Sequence, residues 1–194
     1  MSGAARRAVF LDRDGVLNAL VAREGRAVSP RRLDDFRLFP EAAAEVRKLR
    51  RRGLRVFVVT NQPDVARGHL AAVDLGEMHR RLLAAFELDD IAVCPHDDAD
   101  RCSCRKPEPG MLLALAERWR VDVQRSFVVG DTWKDIEAGR RAGCRTILIE
   151  RTGAGLGVSD CVPDRRVASL NEAVAVIESE LDGRVVREAD DLRR

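Results

Sequence analysis

Five apolar runs punctuate the chain: "AVFL" (8–11), "LRVFVVT" (54–60), "IAVC" (91–94), "SFVVG" (126–130) and "TILIE" (146–150). Runs this short and this continuously apolar have no solvent side, so both faces must be covered. Strands alternating with helices meet that demand as a parallel sheet. The expected fold class is α/β: a doubly wound, Rossmann-like, mostly parallel sheet with helices on both faces. "PEAAAEVRKLRRRG" marks one helix, with proline at its start and glycine at its end. In "DLGEMHRRLLAAFEL" Asp74 and Glu77 read as a capping box, and in "SLNEAVAVIESEL" Ser169 and Glu172 repeat the device. "PEPGMLLALAERW" and "DIEAGRRAG" supply two more crossovers. One domain over residues 1–182 is expected, followed by a charged, flexible tail over 183–194.

Ligands of such sheets sit beyond the carboxyl ends of the strands. There the chain places Asp12 and Asp14 after the first run, Thr60, Asn61 and Gln62 after the second, and Asp131 and Asp135 after the fourth. Asp12 and Asp14 are two apart in extended chain, so their side chains leave on the same side. With Asp131 they bring three carboxyl groups to one point, where each raises the others' pKa unless something compensates. Mg²⁺ shared with a substrate phosphate is the simplest compensation. Asp12 is ionised near neutrality and needs no base to attack a phosphoryl group, while Asp14 moves protons for the leaving alkoxide and the attacking water. Lys106, Arg105, the Thr60 hydroxyl and the Asn61 amide are candidates for cradling the anion.

"FLDRDGVLN", "VVTNQ", "CRKPEPGM" and "VVGDTWKDIEAG" follow one another in the order and spacing of four known signatures. Over about residues 8 to 150 the chain resembles the haloacid dehalogenase-like phosphatases. The resemblance implies catalytic roles for Asp12 as aspartyl-phosphate nucleophile, Asp14 as general acid and base, and Lys106 as the charge-neutralising lysine. It implies phosphate binding by Thr60 and Asn61, and a Mg²⁺ site from Asp12, the backbone carbonyl of Asp14, and Asp131. Asp135 is left between direct ligation and support of the ligands. Cap domains occur in this family between consecutive signatures, but here a helix and its connections nearly fill each interval, so no large cap is expected. Substrate choice then falls to loops 18–39 and 94–106.

"CPHDDADRCSC" brings Cys94, His96, Cys102 and Cys104 together, three thiolates and an imidazole that make a closed tetrahedral set for a structural zinc. Such zinc would stiffen the loop that delivers Arg105 and Lys106. The loop resembles the branch of heptose 1,7-bisphosphate 7-phosphatases and histidinol-phosphate phosphatases, and "CRKPEPGM" favours the heptose enzymes. The chain departs from the heptose pattern at "PDVARG" after "TNQ", where Pro63 and Asp64 replace a small residue and glycine.

Lys and Arg total 34 against 32 for Asp and Glu, and aromatics are 4%, which argues against a nucleic-acid surface. No signal-like or membrane-length apolar run is present, so a cytoplasmic monomer acting on a small sugar phosphate is expected, with no membrane or nucleic-acid partner. A zinc-loop adaptor without turnover is the alternative from another class. "GAGLG" (153–157) resembles part of a dinucleotide fingerprint but has no clear helix after it, so it is not read as a nucleotide site; Cys144 and Cys161 read as small core residues, and His69 and His79 as solvent-facing.

Overall fold

In the computed structural model, which describes residues 6–150 and 161–191 with side chains up to 183, the expected runs become the centre of a six-stranded parallel sheet. Its strands are β1 (Ala8–Leu11), β4 (Arg55–Asn61), β5 (Asp90–Cys94), β6 (Phe127–Gly130), β7 (Arg145–Ile149) and β8 (Arg165–Val167), in the spatial order β5-β4-β1-β6-β7-β8. All four residues of β1 are buried, and they alternate between two cores. Val9 and Leu11 face α1 (Ala42–Arg51), α2 (Ala72–Ala85) and α5 (Leu170–Asp191), through residues such as Leu49, Met78 and Ile177. Ala8 and Phe10 face α3 (Gly110–Trp119) and α4 (Trp133–Ala142), through Leu112, Leu115 and Ala138. A period of two, apolar on both faces, explains why the runs read as continuous.

Chain order reverses at β1: the next core strand, β4, lies on one side and β6 on the other. That switch point opens a crevice beneath the loops after β1, β4 and β6. Among the described residues no cap domain covers it. Instead β2 (Val21–Arg23) and β3 (Arg26–Val28) form a small antiparallel hairpin, turned by Glu24 at φ 49° and Gly25 at φ 73°.

The hairpin and β8 were not anticipated. Each of the three strands is only three residues long, and β8, "RRV", sits at a sheet edge with two exposed arginines. Asp74 does not cap α2; the helix starts at Ala72 and Asp74 lies in its first turn. Ser169 does cap α5, its Oγ accepting from the Glu172 N–H at 3.2 Å. The helix then continues beyond Gly183 into the segment expected as a tail. Among the described residues no helix is long and apolar enough to cross a membrane. Residues 153–157 lie outside the described residues.

Candidate active site

The pairing of β1 with β6 runs one residue past Leu11, because the Asp12 N–H donates to the Val129 carbonyl at 2.9 Å. That bond sets Asp12 level with the end of β6. The chain then turns at once, with the Leu17 N–H on the Arg13 carbonyl and the Gly15 N–H on the Asn18 carbonyl, both at 2.8 Å. Gly15 has φ +79°, and a Cβ there would lie 2.0 Å from Asp131 Oδ2, so only glycine lets that carboxylate rest against the turn. Gly130 makes the same room for Asp135, whose Cβ would lie 2.2 Å from an added one.

Asp12, Asp131 and Asp135 each offer a carboxylate oxygen, all within 4.8 Å of one another. Lys106 Nζ reaches into this group, donating to Asp12 Oδ1 at 2.7 Å, Asp135 Oδ1 at 2.5 Å and the Val59 carbonyl at 2.8 Å. Burial opposes the charge on Lys106, but Asp12 and Asp135 outweigh it and hold the amine protonated. Burial also raises Asp12, with Lys106 offsetting part of the effect. Burial and the neighbouring Asp135 push Asp131 up to about 7. Three carboxylates against one ammonium leave an excess of two negative charges, the charge a hard divalent cation supplies, so the donor set fits Mg²⁺.

The Asp14 side chain lies outside that group. Its oxygens accept from Arg13 Nε (3.1 Å) and Nη2 (2.9 Å), Asn18 Nδ2 (2.8 Å) and Gln62 Nε2 (2.8 Å). Burial alone would raise its pKa, but the Arg13 charge and these donors together lower it. Arg13 is fully buried and packs over the Phe36 ring at 5.5 Å. His79 is close enough to be affected by the same pair. Contrary to expectation its Nε2 is buried, and burial with Arg13 pushes it down to about 4, which keeps the ring neutral.

Gln62 ties this support to the anion cradle. Its Nε2 donates to both Asp14 Oδ2 and Thr60 Oγ1, the latter at 2.9 Å. Because Thr60 Oγ1 accepts from Gln62, its own proton is left to be given into the cavity. Gln62→Ala is expected to lower kcat roughly 10²-fold, the cost of a misaligned group, with a smaller change in KM. Steady-state kinetics beside a thermal melt check this, and unchanged kcat in a folded variant refutes it.

The Asn61 side chain meets the Lys106 backbone: its Nδ2 donates to the Lys106 carbonyl and its Oδ1 accepts from the Lys106 N–H, both at 3.0 Å. It clasps the backbone that carries Lys106 with one of its two Nδ2 hydrogens, and it also lines the cavity. Arg105 turns onto the cysteine loop, with Nε on Asp98 Oδ1 (2.6 Å) and Nη1 on the His96 carbonyl (3.3 Å), yet still lines the cavity. Asp135 Oδ2 accepts from the Thr132 N–H (3.1 Å) and hydroxyl (2.6 Å), so both its oxygens are already held. Asp12, Asp14, Thr60, Asn61, Lys106 and Asp131 line an open cavity of about 340 Å³. Arg13, Asn18 and Gln62 had no assigned role in the sequence; contacts made only on folding reveal them.

In the cysteine loop, Cys94 Sγ lies 3.6 Å from both His96 Nδ1 and Cys102 Sγ. Cys104 Sγ lies 3.3 Å from His96 Nδ1 and 3.4 Å from Cys102 Sγ. A tetrahedral zinc with sulfur at about 2.3 Å needs edges of roughly 3.8 Å, so the four atoms stand near its corners and the residues fit that ion. Cys144 is buried as expected, while Cys161 is only half-buried.

The sequence matches the family described as haloacid dehalogenase-like hydrolase over residues 10–143. It is 43% identical over 150 residues to the D-glycero-beta-D-manno-heptose-1,7-bisphosphate 7-phosphatase of Rhodopseudomonas palustris, covering 71% of this chain and 80% of that protein. It is 36% identical over 163 residues to the D-glycero-alpha-D-manno-heptose-1,7-bisphosphate 7-phosphatase of Mycobacterium tuberculosis, covering 78% and 83%. The crystal structure of D,D-heptose 1,7-bisphosphate phosphatase from B. bronchiseptica, complexed with magnesium and phosphate, superposes with a TM-score of 0.74 at 31% identity, covering 91% of this chain and 99% of that one.

Proposed function

The chain belongs to the haloacid dehalogenase-like hydrolases as a phosphatase, and from that footing we propose that it removes the 7-phosphate of D-glycero-D-manno-heptose 1,7-bisphosphate through an aspartyl-phosphate on Asp12. The observation that carries this reading is the convergence of Asp12, Asp131 and Lys106 in one cavity, with Asp135 buried behind them and bonded to Lys106. Asp12 attacks the phosphorus, and Lys106 holds its carboxylate in place while countering charge on the phosphoryl oxygens. Thr60 donates its free hydroxyl proton to the same group. Mg²⁺ held by Asp12, Asp131 and the Asp14 carbonyl would supply further neutralisation, and Asp135, bonded to Thr132 and Lys106, orients its neighbours. Asp14, which lines the same cavity, would carry the proton transfers. Its partners favour the ionised form, which suits it to take the proton of the attacking water and makes donation to the leaving oxygen the more demanding half. Cys94, His96, Cys102 and Cys104 would hold a structural zinc, which would stiffen the loop that carries Arg105 and Lys106.

The test is phosphate release from both anomers of the heptose bisphosphate and from histidinol phosphate, each with Mg²⁺ added or chelated. Magnesium-dependent cleavage of a heptose bisphosphate is expected to exceed that of histidinol phosphate at least tenfold in kcat/KM, a margin of about 1.4 kcal/mol. A preference for histidinol phosphate overturns the substrate. Phosphate release that ignores chelation overturns the metal.

A further inference from the structure

Above the catalytic floor, the cavity wall includes Arg31, which follows the β2–β3 hairpin, and Asp64, in the loop after β4. The two form a fork across the rim: Arg31 Nε donates to Asp64 Oδ2 at 2.7 Å and Nη2 to Asp64 Oδ1 at 3.2 Å. Asp64 is almost buried and is also approached by His69 Nδ1 at 3.4 Å and Arg67 Nη1 at 3.7 Å. A guanidinium has five N–H donors, and this fork uses two. The remaining three, two of them on Nη1, have no protein partner among the described residues. Arg31 also walls a second, adjoining cavity of about 670 Å³ that contains Arg23, Arg32 and His69, so it stands on the ridge between the two.

Arg67, Arg105 and Lys134 also line the cavity, and both arginines are bonded to the cysteine loop. Arg67 forks onto Asp97 at 2.7 and 2.6 Å, and Arg105 is bonded to Asp98 and the His96 carbonyl. A substrate with phosphates at both ends of a sugar leaves its second phosphate far from Asp12, at the rim. We infer that Arg31, held in its fork by Asp64, is the anchor for the non-reacting phosphate of a sugar bisphosphate; this rests on the phosphatase reading above. Asp64 is a positioning residue here: it holds the guanidinium side-on and leaves the Nη1 donors to the ligand. Pro63 and Asp64 are the positions where the loop departs from the usual heptose pattern, and the fork gives that departure a use.

The experiment compares kcat/KM for matched pairs, heptose 1,7-bisphosphate against heptose 7-phosphate and fructose 1,6-bisphosphate against fructose 6-phosphate. Wild type, Arg31→Ala, Arg31→Lys and Asp64→Asn are measured with Mg²⁺, and melts confirm that each variant is folded. Loss of a charge-assisted bond should lower the bisphosphate-to-monophosphate ratio about 10–100-fold in Arg31→Ala, through KM. Arg31→Lys should recover part of the ratio, and Asp64→Asn should lose several-fold. A fork that merely pins the loop would slow both members of each pair alike, and an unchanged ratio overturns the proposal. A wild type that prefers the hexose pair overturns the heptose reading but leaves Arg31 to be judged on that pair. No turnover of any ester overturns both.

Discussion

Asp12→Asn is expected to lower phosphate release by roughly 10⁴-fold or more while leaving the fold intact, because an amide cannot replace the anionic attacker. The structure gives a reason why the fold survives. Asp12 is one of three carboxylates crowded around Lys106, and its ionised form is already disfavoured by burial. Removing its charge relieves repulsion with Asp131 and Asp135. Lys106 still has the Asp135 carboxylate at 2.5 Å and the Val59 carbonyl at 2.8 Å, so the change strands no buried cation. Asn is nearly isosteric, and the Asp12 backbone bond to Val129 does not involve the side chain. The measurement is single-turnover phosphate release with acid-quench detection of protein-bound phosphate, beside a melt with and without Mg²⁺. A variant within tenfold of wild type, or one that still accumulates protein-bound phosphate, removes Asp12 as nucleophile.

Much of this site could be read in the sequence because strand ends are simple objects. A buried parallel strand must end at the crevice, so polar residues directly behind "AVFL" and "SFVVG" had few other places to be. Asp12, Asp131 and Lys106 meet as that logic requires. What surrounds Asp14 could not be read the same way. Arg13 would ordinarily be assigned to solvent, yet it is fully buried, paired with Asp14 and set over the Phe36 ring from a segment more than twenty positions on. Asn61 reads as an anion ligand from its place behind β4, and its clasp on Lys106 is a separate matter. Its role as a clasp depends on a loop delivered from beyond β5, which no local pattern encodes. The hairpin was missed for another reason: "VAREGRAV" is too short and too polar to show a period, and its Glu24–Gly25 turn lacks the usual Asn or Asp.

Removing zinc from the cysteine loop is expected to lower kcat by roughly 10–100-fold, the usual cost of losing support one shell from a working group. The route can be traced bond by bond. Cys94 ends β5 and is fully buried, while Cys102 and Cys104 lead into Arg105 and Lys106. Between them Asp97 holds Arg67 of the loop after β4, and Asp98 holds Arg105. The Ser103 carbonyl accepts from the Gly110 N–H at 3.1 Å, so close that a Cβ at Gly110 would lie 2.3 Å from the same oxygen. The path from the four ligand atoms to Lys106 is therefore short and already tight. Without an ion, three thiols and an imidazole remain at mutual distances suited to coordination, and the loop gains alternatives to that arrangement. Cys104→Ser and chelator-stripped wild type, both assayed with Mg²⁺ restored, should show the loss together with faster amide exchange over residues 94–106 and near Asn61. Elemental analysis should find about one zinc per wild-type chain, as one closed four-ligand set requires. Zinc-free protein with full kcat and unchanged exchange would mean that the clasp from Asn61 holds Lys106 without help from the metal.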